Sequence, residues 1–441
     1  MAASVFDSPL FAQLFPTGDT GRLFSDSAAI RAMLLTEGAL AKVQGDLGVI
    51  PQISGAAIHR AAMEMQVDPG AIAKATGANG VSVPGLVAAF RSEMQAPEHA
   101  QFVHWGATSQ DIIDTALMLR LRQALALAEA DLREILTALG AQAAEHATLP
   151  MPARTYGQHA TPTTWGAVLA EWGMPLLDAL SELDILRKSS LWVSLSGASG
   201  TASALGEKAS ETRAGLAKAL GLGDPMRSWH TDRTPLLRIA DWQGRVMAAL
   251  AHIGQSLLGL TGSDVQEISL GAAGASSTMP QKQNPVGPSA ILALSHQFTG
   301  QRATLQAAAA HQHQRDGAAW FAEWMALPPL CLSLASALHH TKRLASGIAP
   351  RPVQMHANLD ATLGLIHAEA LSFALAGLMP RPEAQAKAKA LCLEAMEKRI
   401  PLKDLATAAY PKLDTAAFDP VAGAGHAAQD AADFARRTKD L

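Results

Sequence analysis

Apolar residues recur at steps of three and four over three long stretches of the chain, the spacing that places them on one face of a helix. The stretches cover residues 111–140, 163 to about 188, and about 236–261. In the first stretch, the leucines that share this face are Leu117, Leu121, Leu125, Leu132, Leu136 and Leu139. Amphipathic segments of this length predict long antiparallel helices that pack as a bundle.

Alternation of apolar and polar residues over the length of a strand is nearly absent, so few strands and no parallel sheet are expected. The composition agrees, because hydrophobic residues make up 49% and aromatic residues only 5% of the chain, which leaves a core of Ala and Leu, both good helix formers. The predicted fold is all-α, with a long central helical bundle (111–348) between smaller N-terminal (1–110) and C-terminal (349–441) helical regions. A length of 441 residues is compatible with about three such units at ~150 residues each.

Charge and cysteine usage exclude several classes of function. Lys and Arg number 35 against 39 Asp and Glu, and no dense basic run is present, which argues against nucleic-acid binding. The N-terminus lacks a signal-peptide pattern, and polar residues interrupt every apolar segment before ~18 residues accumulate, so export and membrane spanning are not expected. Cys331 and Cys392 each lie among leucines, which predicts buried thiols in a reducing compartment and hence a cytoplasmic protein.

Three polar stretches, 104–111, 154–164 and 271–289, interrupt the helical pattern. The third contains Gly and Pro residues that forbid a continuous helix, and loops of nearly twenty residues in compact domains are usually functional or disordered. The third stretch combines the hydroxyls of Ser276 and Ser277 with an ammonium at Lys282 and an amide at Asn284, a set able to hold a carboxylate and the charge that develops on it. From composition alone, a linker with a solvated Lys282 is an equal alternative.

The other two polar stretches favour the functional interpretation. Thr108, Ser109 and Gln110 precede the first long helix, where free N–H groups and the helix dipole attract an anion. Ser109 by itself is more simply explained as a helix cap. The second long helix starts in the same way, close to Arg154 and His159, and the combination predicts a carboxylate site.

No metal or cofactor site is predicted. His311 and His313 lie two residues apart, which places them on different faces of a helix, and the metal-binding patterns His-Glu-x-x-His and Cys-x-x-Cys are absent. A glycine-containing segment at 197–206 lacks the spacing of a phosphate loop.

The third stretch contains a segment that resembles the signature loop of the fumarase/aspartase superfamily: Ser276-Ser277-Thr278-Met279-Pro280-Gln281-Lys282-Gln283-Asn284-Pro285. That superfamily also has a Thr-Ser-x-Asp segment, matched by 108–111, and an Arg-Thr-x-x-Gln segment, matched by 154–158, in this order. The resemblance covers essentially the whole chain. It implies an all-helical homotetramer whose active sites are each assembled from three subunits and act on a small polycarboxylate without a cofactor.

Within the superfamily, several segments are more similar to the 3-carboxy-cis,cis-muconate cycloisomerase family than to adenylosuccinate or argininosuccinate lyases. The resemblance implies a lactone-forming reaction in the protocatechuate branch of the β-ketoadipate pathway. Ser276 would transfer the Cα proton, with His159 as the alternative acid, and Lys282 would stabilise the developing negative charge. The implied substrate-binding residues are His104, Thr108, Ser109, Gln110, Arg154, Thr155, Gln158, Ser277, Asn284 and Arg233.

The sequence departs from the superfamily pattern at two positions. Tyr156 stands where many lyases of the superfamily carry a His, and Asp232-Arg233-Thr234 replaces the more usual Gln-Arg-Asp. Two other functions therefore stay open. One is a lyase of the same superfamily that releases fumarate, and the other is an inactive structural or binding homologue.

Overall fold

The structure is a computed structural model that describes residues 4–271, 274–275, 279 and 282–441. The prediction of an all-helical fold is confirmed, with 69% of the residues in helices and 5% in strands. The N-terminal helices are α1 (Gly18–Leu23), α2 (Asp26–Asp46), α3 (Gln52–Glu64), α4 (Pro69–Asn79), α5 (Val83–Glu93) and α6 (Pro97–Ala100).

The longest helices lie in the middle of the sequence. They are α7 (Ser109–Glu145), α8 (Trp165–Ser181), α9 (Leu183–Ser190), α10 (Ala209–Leu220), α11 (Thr234–Leu260), α12 (Val286–Ala308) and α13 (Gly317–Gly347). The shorter helices that follow are α14 (Pro352–Asp360), α15 (Ala368–Ala376), α16 (Arg381–Lys398), α17 (Leu402–Ala409), α18 (Pro420–Gly423) and α19 (Ala427–Thr438). Short 3₁₀ helices occur at Val5–Asp7, Ser203–Lys208, Leu365–His367 and Thr415–Phe418.

The three long helices predicted from periodicity are present, with different ends. The first and third correspond to α7 and α11, and α7 extends beyond the predicted 111–140 in both directions. The second is divided, because α8 ends at Ser181 and α9 begins at Leu183. Its start also lies later than predicted, since residues 163 and 164 still belong to a strand.

The strands of the described chain pair two by two, and every pair is antiparallel. They are β1 (Pro150–Thr155) with β2 (Gln158–Thr164), β3 (Ile268–Ser269) with β6 (Ala349–Pro350), and β4 (Gly274–Ala275) with β5 (Gln283–Asn284). The β1–β2 hairpin turns at Tyr156 and Gly157, whose φ values of 53° and 75° match the left-handed turn that suits the twist of a two-residue hairpin.

The chain forms two compact units, each made of separate segments of sequence. Unit 1 contains Met1–Ala130, Ala179–Ala248 and Ala293–His339, and unit 2 contains Asp131–Asp178, Ala249–Leu292 and His340–Leu441. The predicted division into three consecutive regions, with boundaries at residues 110 and 348, stays a prediction. The two units cut the chain elsewhere, because α7, α11 and α13 each contribute residues to both units.

Each unit has an apolar interior built from helix faces. In unit 1, the buried side chains of α2, α3 and α5 include Leu34, Leu40, Ile58 and Phe90. In unit 2, α15, α16 and α17 bury a second cluster that includes Leu371 and Leu402. Burying one such side chain contributes roughly 1.5–3 kcal/mol, so these faces account for much of the stability of each unit.

Helix α13 is long and apolar enough to cross a bilayer by composition alone. However, 56% of its most apolar window is buried inside the protein, which is the pattern of a core helix. Cys331 on this helix is buried, and Cys392 on α16 is partly buried; neither forms a disulfide.

Candidate active site

The predicted site residues fall into two groups, one in each unit. Unit 1 holds His104, Thr108, Ser109, Gln110 and Arg233, and unit 2 holds Arg154, Thr155, Gln158, His159, Lys282 and Asn284. Ser276 and Ser277 lie outside the described residues.

A buried carboxylate holds the start of α7 in unit 1. Asp111 is fully buried, and its Oδ1 accepts hydrogen bonds from the backbone N–H of Ser196 at 2.8 Å and faces Nε2 of His230 at 2.8 Å. Its Oδ2 accepts from the backbone N–H groups of Gly197 at 2.9 Å and Thr108 at 3.0 Å. Because one charged side chain bonds both the helix N-terminus and a distant loop, it fixes the backbone at Thr108 and Ser109.

Arg315 presents a cation at this helix start. Its Nε donates to Oε1 of Gln110 at 2.9 Å, and its Nη2 donates to Oγ1 of Thr108 at 3.3 Å. Gln110 is fully buried, and its Nε2 donates to the carbonyl of His230 at 2.8 Å. The amide of Gln110 is therefore committed to protein partners, and the exposed Arg315 is the residue that reaches toward solvent. Sequence reasoning missed Arg315, although it follows four polar residues, 311–314, between two long helices.

Arg233 is buried in an ionic cluster. Its Nη1 lies 2.8 Å from Asp114, its Nη2 lies 2.7 Å from Glu323, and its guanidinium stacks 4.8 Å from the Trp229 ring centre. All five N–H donors of the guanidinium are used, four by the two carboxylates and one by the carbonyl of His230 at 3.5 Å. A guanidinium without a free donor has nothing to offer a substrate. The geometry therefore favours a structural role for Arg233, and its expected substrate contact stays a prediction.

His104 forms a buried pair with a carboxylate on α2. Its Nδ1 lies 2.7 Å from Oε1 of Glu37, whose side chain is completely buried. Burial by itself would lower the pKa of His104, but the Glu37 carboxylate, assisted by Asp111, outweighs burial and raises the pKa above its ordinary value. The backbone of His104 has a φ of 66°, a strained conformation for a non-glycine residue. The pair thus favours the protonated form of an imidazole that lies close in sequence to Thr108.

The β1–β2 hairpin organises the group in unit 2. Arg154 and His159 are opposite each other in its register. Arg154 binds Glu267 through two hydrogen bonds of 2.8 and 2.6 Å, and Asn358 donates to the same carboxylate at 2.8 Å. Burial, followed by the nearby charge of Arg154, lowers the pKa of His159, and Glu267 opposes this only in part. His159 is therefore a neutral imidazole at neutral pH.

The tip of the same hairpin faces solvent. Thr155 and Gln158 are exposed, and Tyr156 between them is fully exposed. Binding groups at such a tip need another surface opposite them to enclose a substrate.

Lys282 and Asn284 lie at the second hairpin of unit 2. Asn284 on β5 pairs with Gly274 on β4, and the backbone N–H of Lys282 donates to the carbonyl of Met279 at 3.0 Å. Both residues line a cavity of about 350 Å³, together with Arg351 at the start of α14. This volume suits a small ligand. An ammonium, an amide and a guanidinium around one cavity are chemically suited to a ligand with several carboxylates. Arg351 is the member that sequence reasoning did not select.

Within the described parts of the chain, no three His, Cys, Asp or Glu side chains are grouped so that they could hold a metal ion.

The arrangement of long helices agrees with comparisons to known proteins. A protein-family model described as a lyase matches residues 21–300. The chain belongs to the fumarase/aspartase superfamily.

Particular relatives narrow this class. The chain is 38% identical to a 3-carboxy-cis,cis-muconate cycloisomerase of Pseudomonas aeruginosa, over 89% of this chain and 87% of the relative. It is also 34% identical to a nitrosuccinate lyase of Streptomyces davaonensis, over 92% of this chain and 88% of that protein. The crystal structure of the 3-carboxy-cis,cis-muconate lactonizing enzyme from Pseudomonas putida superposes with a TM-score of 0.91 at 34% identity, covering 98% of this chain and 99% of that one.

The Glu37 to Gln substitution is predicted to lower the pKa of His104. The amide keeps an oxygen that accepts from Nδ1 but removes the negative charge that favours the protonated ring. The pH dependence of deuterium exchange at the imidazole C2 position, followed by mass spectrometry, measures this pKa directly. Glu64→Gln, at an exposed position of α3, is the matched control and leaves it unchanged. An unaltered His104 pKa in Glu37→Gln would contradict the assigned role of Glu37.

The Arg233→Met substitution is predicted to destabilise the fold by ~3–5 kcal/mol, because Asp114 and Glu323 would remain buried without their cation. The measurement is the urea midpoint of unfolding. Arg245→Met, which removes an exposed partner of Glu182, is the control and should cost less than ~1 kcal/mol. Normal stability of Arg233→Met combined with a large loss of kcat/KM would instead show that Arg233 binds substrate.

Proposed function

We propose that this protein is a 3-carboxy-cis,cis-muconate cycloisomerase, which closes a lactone ring within a diene that carries three carboxylates. The observation that carries the proposal is the similarity to cycloisomerases along nearly the whole chain. The cavity shared by Lys282, Asn284 and Arg351 supports it, because its three polar groups suit a substrate with several negative charges.

The chemistry places one demand on the protein. A carboxylate oxygen of the substrate attacks an activated double bond, and the electron pair of that bond moves toward a neighbouring carboxylate to form an aci-carboxylate. Donors must be in place before this charge forms, because reorganising them during the reaction would raise the barrier. We assign this role to Lys282 and Asn284, which the β4–β5 hairpin carries into the same cavity.

Other groups bind the remaining carboxylates. The N-terminus of α7 offers Thr108 and Ser109, and Arg315 adds a positive charge there. Thr155 and Gln158 contribute from the exposed hairpin tip. Arg154 stands beside them, with its charge largely matched by Glu267, so its main contribution is to hold His159 and the hairpin in position.

The site is proposed to be complete only in a homotetramer. Thr155 and Gln158 are exposed in the single chain, and α13 presents Met325 with 70% of its surface exposed, an unusual position for a large apolar side chain. Assembly from several subunits would cover such surfaces and enclose the substrate. Two free cysteines are consistent with a cytoplasmic location.

A proton must finally reach the carbon next to the stabilised carboxylate. The two candidates are Ser276, as its superfamily position implies, and His159. The lowered pKa of His159 means that few molecules carry a proton on this ring at neutral pH. This favours Ser276 as the proton donor and leaves His159 as a hydrogen-bonding group.

A direct assay tests the proposed activity. Incubation with 3-carboxy-cis,cis-muconate should abolish the absorbance of the conjugated diene without releasing fumarate. The competing function is a lyase that releases fumarate, which the similarity to a nitrosuccinate lyase favours. Parallel incubation with adenylosuccinate and other succinyl adducts distinguishes the two. Fumarate formation from one of these, with the diene left intact, would reject the cycloisomerase.

The Lys282→Ala substitution is predicted to lower kcat by ~10² or more, because it removes a charge that stabilises the intermediate. Helix content by circular dichroism should stay unchanged, since Lys282 is exposed. Lys412→Ala, at another exposed position, is the control with normal turnover. A normal kcat in Lys282→Ala would remove this residue from the mechanism.

The Ser276→Ala substitution is predicted to abolish turnover while substrate still binds, because it removes the proton donor and leaves the binding groups in place. Turnover is followed by diene absorbance and binding by calorimetry. Turnover at the rate of the unsubstituted protein would show that His159 or water donates the proton.

A further inference from the structure

A second cavity lies within unit 1 and contains none of the residues assigned to substrate binding or catalysis. Its volume is about 320 Å³, and it is formed by side chains of α2, α4, α7 and α13 and the segments next to them. Most of its wall is apolar, and two aromatic side chains, Phe24 and Trp324, face it together with Met33 and Leu327. The cavity is therefore shaped for a small ligand with an apolar body.

Arg120 brings a positive charge to this apolar wall. Its Nε is shielded from solvent and has no acceptor among the described residues. Its one hydrogen bond in the described chain is a long contact of 3.4 Å from Nη1 to the carbonyl of Leu23, and its guanidinium lies 5.8 Å from the Phe24 ring centre. Burial lowers the pKa of Arg120, yet an arginine keeps its proton in proteins. A positive charge that is buried without a partner is costly, so this position favours a bound anion.

The acids that line the cavity do not supply this anion. Glu323 points both oxygens at Arg233, and Asp26 is exposed at the first turn of α2. Across the described chain, no carboxylate forms an ion pair with Arg120. Ser82 is a further polar group of the cavity. Among the described residues, its hydroxyl donates only to the sulfur of Met33, at 3.6 Å. Because a thioether sulfur is a weak acceptor, this hydroxyl can also bond a ligand.

We propose that this cavity binds a small aromatic monocarboxylate. The carboxylate pairs with the Arg120 guanidinium, the ring lies against Phe24, Trp324 and Leu327, and the Ser82 hydroxyl bonds a polar substituent. The volume of about 320 Å³ limits the ligand to roughly one ring with its substituents. The site is independent of the proposed reaction, because Lys282, Asn284 and Arg351 line a different cavity.

The experiment uses the intact protein and 4-fluorobenzoate as the probe, followed by ¹⁹F NMR. Saturable binding is expected, and Arg120→Met should weaken it by about tenfold or more. Arg122→Met is the matched control on the same helix, because Arg122 donates to the carbonyls of Leu220 and Gly221 and lines another cavity. It should bind the probe like the unsubstituted protein. The neutral analogue 4-fluorobenzyl alcohol should bind about tenfold more weakly than the acid.

Two further measurements make the result decisive. The Lys282→Ala variant should bind the probe normally, and loss of binding there would place the probe in the reaction site and overturn the proposal. Arg120→Met should have an equal or higher thermal midpoint, because it removes an unpaired buried charge. No saturation up to about 10 mM probe, or equal affinity in Arg120→Met, would also overturn the proposal. A lowered midpoint without probe binding would show that a carboxylate of a second copy pairs with Arg120 instead.

Discussion

Two buried carboxylates one turn apart on α7 determine where the proposed binding groups of unit 1 lie. Asp111 joins the helix start to the loop at 196–197 and to His230, and Asp114 holds Arg233. Positions three residues apart share a helix face, so both charges point into the same interior. Removing either partner of such a pair leaves an uncompensated charge, which costs several kcal/mol. The buried Asp111 therefore fixes the backbone geometry at Thr108 and Ser109.

In unit 2, a different buried carboxylate also fixes the backbone. Glu267 is completely buried and is held by Arg154 and Asn358, so it connects the β1–β2 hairpin to α14. Because its charge neutralises Arg154, the guanidinium serves to position His159 and the strand. Lys282 and Arg351 are exposed and form no ion pair in the described chain, and they remain available to a ligand. In both units, buried ion pairs fix the backbone, and the polar groups proposed to bind substrate are at least partly exposed.

The sequence predicts the helices well and the site only in part. The leucine spacing in α7 and α11 depends on local periodicity, and local periodicity is visible in a linear sequence. The β1–β2 hairpin was not predicted, because its prolines at positions 150, 152 and 162 hide the alternation of a strand. The buried ion pairs of Arg233 were not predicted, because its partners Asp114 and Glu323 lie 119 and 90 residues away in the sequence and only folding brings them together. Glu37, Arg315 and Arg351 were missed for the same reason.

The central claim is that distant polar segments meet around one polycarboxylate. A crystal structure of the assembled protein with the lactone product bound tests it most directly. Lys282 and Asn284 of one subunit should bond one carboxylate of the product, and Thr108 and Ser109 of a different subunit should bond another. A product bound elsewhere, or an assembly in which these segments stay too far apart to share it, would contradict the account.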